Sequence, residues 1–179
     1  MQNIILIGMP GSGKSTIGVL LAKQVAMDFV DTDVLIQTSQ QRALQAIVDA
    51  DGQAALRKIE EGVLLNLRRK NCVIATGGSA VYSDKAMRHL KSSGLVIFLD
   101  VDLATLEARV QDFSSRGLAK NPDQSFAQLF DERLPLYKKY ADMTVKSAGL
   151  NPDELCLMVR DRHFHEAQKN KPAEAGLFS

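Results

Sequence analysis

The sequence predicts an α/β fold with a mainly parallel sheet. Three observations predict it. An apolar strand runs into a glycine-rich loop and then a helix near the N-terminus. Further apolar runs alternate with helical stretches along the rest of the chain. Glycines or paired acids follow three of those runs, where an open parallel sheet carries its ligand-binding loops.

Asn3–Gly8 is a continuous apolar run ending in glycine, the pattern of a strand covered on both faces. Ile17, Leu20, Leu21 and Val25 then recur at helical spacing. Phe29 and Val30 form a short second strand before Asp31-Thr32-Asp33. Val34 to Lys70 reads as mostly helical, broken at Asp51-Gly52, with Leu56, Ile59, Val63, Leu64 and Leu67 as an apolar stripe. Arg68-Arg69-Lys70 is expected to close that helix, where cations suit the negative dipole end. Cys72–Thr76 is a third strand, stopped by Gly77-Gly78. A helix around Asp84–Ser92, a strand at Leu95–Leu99 and a helix at Leu103–Gln111 follow. Phe113–Gln124 is rich in Ser, Gly, Asn and Pro and reads as a mobile loop. Ser125–Tyr140 is helical again, with Pro135 expected to bend or interrupt it. Met143–Val145 is a weak fifth strand, and Asn151-Pro152 opens a last helix as cap and first position. The expected organisation is one domain over residues 1–165, with a polar, flexible tail over 166–179.

The chain has 179 residues, 45% hydrophobic and 24% charged, which favours one globular domain with a full core. A net charge of +1 supplies no basic excess for nucleic acid, so any anion site must come from local Lys and Arg. Cys72 and Cys156 sit in apolar settings and read as buried reduced thiols. His163 and His165 have no metal-ligand spacing. No secretory signal and no membrane-length apolar stretch is visible, so a cytoplasmic monomer without a membrane partner is the expectation.

Gly8 to Ser15 matches the P-loop pattern in full: Gly8, then Gly13-Lys14-Ser15 at the required spacing. Its glycines let backbone N–H groups turn inward around a phosphate, and the following helix adds its positive end. Gly11, Ser12, Gly13, Lys14, Ser15 and Thr16 are the candidate nucleotide-binding residues. Lys14 reaches β and γ phosphates, and the Ser15 hydroxyl suits Mg²⁺. In Asp31-Thr32-Asp33, one carboxylate can hold Mg²⁺ through water while the other takes a proton from a substrate hydroxyl. The alternative is that Asp33 caps the next helix. Arg57 reads either as a surface ion-pair partner of Glu60 or Glu61 or as a ligand residue. Arg133 carries the same ambiguity. Arg116 in the Ser/Gly loop suits a lid that brings positive charge to phosphates, and Arg109 on the helix before it can flank a base.

As a set, these residues resemble the shikimate kinase family. The match runs through the P-loop, Asp31-x-Asp33, Arg57-x-x-Glu60, Gly77-Gly78, Arg116-x-Leu118, and Arg133-x-Pro135-x-Tyr137 followed by Ala141. It spans about Asn3 to about Asp161. The resemblance implies a three-layer P-loop kinase fold with a five-stranded parallel sheet of order 2-3-1-4-5. It implies ATP-dependent phosphorylation of the 3-hydroxyl of shikimate, with Mg²⁺. It assigns a substrate-binding helical region to about 33–61 and a lid to about 112–124. Lys14 and Arg116 would stabilise the transferring phosphoryl group, Ser15 and Asp31 would hold Mg²⁺ (Asp31 through water), and Asp33 would be the base. Arg57 and Arg133 would clamp the carboxylate, with Gly77 and Gly78 beside them, and Arg109 would lie near adenine.

The sequence departs from the family's pattern at four places. Ser79 stands where a third glycine is frequent, Leu56 for Phe, Gln53 for Glu, and Gly117 for the lid proline. Gly117 is expected to loosen the open lid. These departures leave a kinase for another small hydroxy acid, such as a gluconate-like sugar acid, as the second expectation. A nucleotide-binding regulatory protein is the third.

Overall fold

A computed structural model of the chain describes residues 2–109, 124–147 and 150–169, with side chains as far as 161. Five strands form one sheet: β1 (Asn3–Ile7), β2 (Asp28–Asp31), β3 (Cys72–Ala75), β4 (Gly94–Asp100) and β5 (Met143–Lys146). All pairings are parallel, in the order β2-β3-β1-β4-β5, as the resemblance implies. β1 is central, with Ile5 registered against Ile74 of β3 and Val96 of β4.

The helices are α1 (Lys14–Val25), α2 (Thr32–Gln40), α3 (Leu44–Asn66), α4 (Asp84–Ser93), α5 (Leu103–Arg109), α6 (Phe126–Tyr140) and α7 (Pro152–Lys169). A single 3₁₀ turn, Ala80–Tyr82, lies between β3 and α4. Side chains alternate across the sheet. Ile4, Leu6, Val73, Ile97 and Leu99 pack against Ile17 and Leu21 of α1 and Leu155 and Val159 of α7. Ile5, Ile7, Ile74, Val96 and Phe98 face Leu64 of α3, Met87 and Leu90 of α4 and Leu129 and Tyr137 of α6. Two covered faces explain why β1 is buried throughout and apolar from Ile4 to Ile7, with the one polar residue, Asn3, bonded to the Arg69 carbonyl and the Cys72 N–H. A third, smaller cluster, Ile36, Ile47 and Leu56, ties α2 to α3. Cys72 and Cys156 are buried free thiols.

Several boundaries differ from the sequence reading. The helical stretch after β2 breaks first at Gln41, whose φ of 51° is left-handed, and this ends α2. The break expected at Asp51-Gly52 is present: Gly52, with φ 81° and ψ 169°, leaves helical geometry and divides α3 into a shorter and a longer piece. Arg68-Arg69-Lys70 lies beyond the helix end. Arg68 Nη1 turns back to the carbonyls of Leu65 and Leu67, so the cation still serves the last turn. Pro135 does not interrupt α6. Its missing N–H forfeits the bond to the carbonyl of Asp131, and both residues are exposed, which leaves that carbonyl open to solvent. Asn151 caps α7 as expected, in a reciprocal pair with Glu154. The expected lid, with Arg116 and Gly117, lies outside the described residues, as does the tail beyond 169. Among the described residues no helix is long and apolar enough to cross a membrane.

Candidate active site

The carboxyl ends of β1, β2 and β3 open into one cavity of about 540 Å³. Its walls include Gly11 to Thr16, Asp33, Leu56, Glu60, Gly77, Gly78, Ser79, Arg109 and Arg133. Gly11 to Thr16, Asp33 and Gly77 to Ser79 meet there because each group follows a parallel strand at that edge, while Leu56 and Glu60 of α3, Arg109 of α5 and Arg133 of α6 reach in from helices.

The P-loop builds the phosphate side. Gly8, Gly11 and Gly13 have φ of 150°, 81° and 93°, so their backbone follows a path that side chains resist. Gly13 precedes α1 with no side-chain cap, which leaves first-turn N–H groups for an anion. Lys14 Nζ is buried. It donates to the carbonyls of Gly8 and Met9 at 2.9 Å and to Ser12 Oγ at 3.4 Å. Burial pulls its pKa down to about 8, against the opposing pull of Asp33 and Asp31.

Asp31 has two tasks. Its Oδ1 accepts from the Asp33 N–H at 2.9 Å and so caps α2, the role the sequence left open for Asp33. Its Oδ2 accepts from Ser15 Oγ at 2.5 Å. A hydroxyl and a carboxylate oxygen thus converge beside the P-loop, a donor set suited to a hard cation. Asp33 is freed from capping, and burial raises its pKa while Lys14 draws it down. Thr32 Oγ1 accepts from the Gly77 N–H at 3.0 Å, which ties the start of α2 to the end of β3. A β-branched hydroxyl between two acids was a visible signal for this tie, and the sequence reading passed over it.

The other wall holds Glu60, Ser79 and Arg133, buried at 3%, 8% and 1% exposure. Ser79 Oγ donates to Glu60 Oε2, whereas Glu60 Oε1 has no hydrogen-bond partner among the described residues. Burial pushes the Glu60 carboxyl up to about 7. A Cβ on Gly77 would lie 2.2 Å from Glu60 Oε1 and 2.7 Å from Asp33 Oδ1, so only glycine lets both carboxylates approach. Tyr137 donates to the Gly78 carbonyl at 2.6 Å and stacks on Phe98. Arg109 Nη1 reaches the Gly11 carbonyl at 3.4 Å.

Arg57 is not in this cavity. It lines a neighbouring one of about 350 Å³ that shares Glu60 and Ser79, with its guanidinium over the Tyr82 ring. Ser79 donates to Glu60 and Ser83 to Glu61, which ties this face of α3 to the 3₁₀ turn and its end. The sequence reading missed Tyr82 altogether.

The comparisons agree with the geometry. The shikimate kinase family model matches residues 10–163. A shikimate kinase of Thermodesulfovibrio yellowstonii is 36% identical over 158 residues, 87% of this chain and 91% of that protein. One of Vibrio parahaemolyticus is 36% identical over 168 residues, 90% and 98%. The solved shikimate kinase of Acinetobacter baumannii, in complex with shikimate, superposes with a TM-score of 0.86 at 28% identity over 96% of each chain. That of Aquifex aeolicus gives 0.77 at 30% identity, covering 93% of this chain and 98% of that one. A phosphate loop, a paired-acid edge and a buried arginine in one cavity, with matches over nearly the whole chain, place it: the chain belongs to the shikimate kinase family.

Proposed function

We propose that the enzyme transfers the terminal phosphoryl group of ATP to the 3-hydroxyl of shikimate, with the P-loop as donor site and the Asp33–Arg133 wall as acceptor site. The carrying observation is that Lys14, Asp33 and Arg133 line one cavity. Gly11, Ser12, Gly13, Ser15 and Thr16 hold the phosphates through N–H groups and hydroxyls. Lys14 exchanges its carbonyl partners for phosphate oxygens and follows the charge that develops on the transferred group.

Asp33 takes the proton of the attacking hydroxyl. Burial makes it a better base, and Lys14 nearby keeps it ionised. Arg133 receives the acid's carboxylate beside Gly77 and Gly78. Arg57 joins it from the adjoining cavity. Arg109 flanks the base. Arg116, by its place in Arg116-x-Leu118, adds positive charge from the lid at about 112–124. Ser15, with Asp31 acting through water, fits Mg²⁺, which when bound neutralises phosphate charge. We assign the whole site to one domain over residues 1–165 that works as a cytoplasmic monomer. Its net charge of +1 supports no nucleic-acid partner.

ADP release measured with a panel of hydroxy acids tests this reading. Turnover with shikimate is the expected result. Turnover with gluconate alone overturns the acceptor, and tight ATP binding without ADP from any acid overturns the kinase. Asp33→Ala should lower kcat by about 10²–10⁴-fold while ATP binding persists. Retained turnover in that variant removes Asp33 as base.

A further inference from the structure

Tyr82 ends the 3₁₀ turn that follows Gly77-Gly78-Ser79. It is half-buried and belongs to none of the three apolar clusters. Core filling therefore does not explain a large aromatic ring here. Its neighbours are charged. Arg57 Cζ lies 3.8 Å from the ring centroid and Arg133 Cζ 5.2 Å from it. Arg133 Nε donates to the Tyr82 hydroxyl at 3.2 Å. That hydroxyl gives its own proton to Glu132 Oε1 at 2.6 Å, and Glu132 Oε2 accepts from Gln124 Nε2 at 2.5 Å. The Tyr82 bond holds the Glu132 carboxyl below its usual range, in keeping with that direction of donation.

This arrangement aims a side chain. A guanidinium is planar, so fixing Nε on one side sets the direction of its terminal nitrogens. Arg133 Nη1 lies 3.0 Å from where a Cβ on Gly78 would stand, and both residues line the cavity. Two cations also repel, and the negative face of one ring offsets part of that cost at Arg57. We propose that Tyr82 is a positioning residue for the acceptor's carboxylate: its hydroxyl aims Arg133 into the pocket and its ring seats Arg57 beside it. This rests on the assignment of both arginines to the carboxylate.

Steady-state kinetics of Tyr82→Phe and Tyr82→Leu test it. Loss of the hydroxyl should raise the shikimate KM about tenfold, the effect of one charge-assisted hydrogen bond, with the ATP KM unchanged. Loss of the ring as well should raise it about a hundredfold, so Phe rescues part of the Leu defect. On the carboxamide of shikimate, which lacks the charge, the kcat/KM ratio between native enzyme and Tyr82→Phe should fall towards one. An unchanged shikimate KM overturns the inference, as do equal rises for both substrates or a full penalty on the carboxamide. Arg133→Lys separates the two levels. If it leaves the shikimate KM unchanged, the carboxylate clamp itself falls. If it raises that KM while Tyr82→Phe does not, only the role of Tyr82 falls.

Discussion

Burial of Glu60 beside Gly77 and Ser79 puts a carboxyl where its charge is costly. Its pKa rises from 4.5 to about 7, mainly through desolvation, with the Ser79 hydroxyl pulling the other way. A carboxyl whose folded pKa is raised stabilises the fold below its unfolded pKa and loses that contribution as pH rises through the folded one. The window here runs from 4.5 to about 7. Glu60→Gln keeps an oxygen for Ser79 and does not titrate. Its stability relative to the native protein should therefore improve by up to about 3 kcal/mol between pH values near 5 and near 8. Urea unfolding at both pH values measures this, and a difference independent of pH contradicts it. Lys14 and Asp33 were legible in the sequence because loop spacing and position after a strand carry their signal. The Glu60–Ser79 bond and the Tyr82 contacts join α3, the 3₁₀ turn and α6. No local spacing encodes such pairs, so Ser79 read only as a departure from a glycine pattern.

The kink of α3 belongs to the next scale. Gly52 has φ 81° and ψ 169°, a region open to almost no other residue, and a Cβ there would meet nothing within 4 Å. A substitution is therefore opposed by the backbone alone. Gly52→Ala should cost about 1–3 kcal/mol, read as a lower thermal midpoint. An unchanged midpoint would show that the two halves of α3 straighten freely. The glycine made this break visible in the sequence. The break at Gln41 carried no such sign, because glutamine rarely ends a helix in the left-handed region. Of the two outcomes expected at Pro135, a bend or an interruption, interruption does not occur: on an exposed face water can reach the freed carbonyl, and α6 runs on.

At the scale of the molecule, the P-loop and the wall with Asp33 and Arg133 line one cavity, so a substrate held there as proposed binds the folded chain and stabilises it. At a hundred times its dissociation constant a ligand adds about 2.7 kcal/mol, or about 5–10 °C in thermal midpoint at this chain length. ATP and shikimate should each give such a shift alone, and Asp33→Ala should keep the ATP shift. Loss of the ATP shift in that variant would mean that Asp33 holds the phosphate side together. Strand order adds a consequence for the growing chain. β1 and its phosphate loop are made before the strands they need, for β1 is the middle strand and pairs with β3 and β4. Its second edge stays uncovered until Gly94–Asp100 has been made. A nascent chain cut before that point carries every P-loop residue but lacks β4, Arg109 and Arg133, so the cavity that the folded chain builds around its phosphate loop is still incomplete.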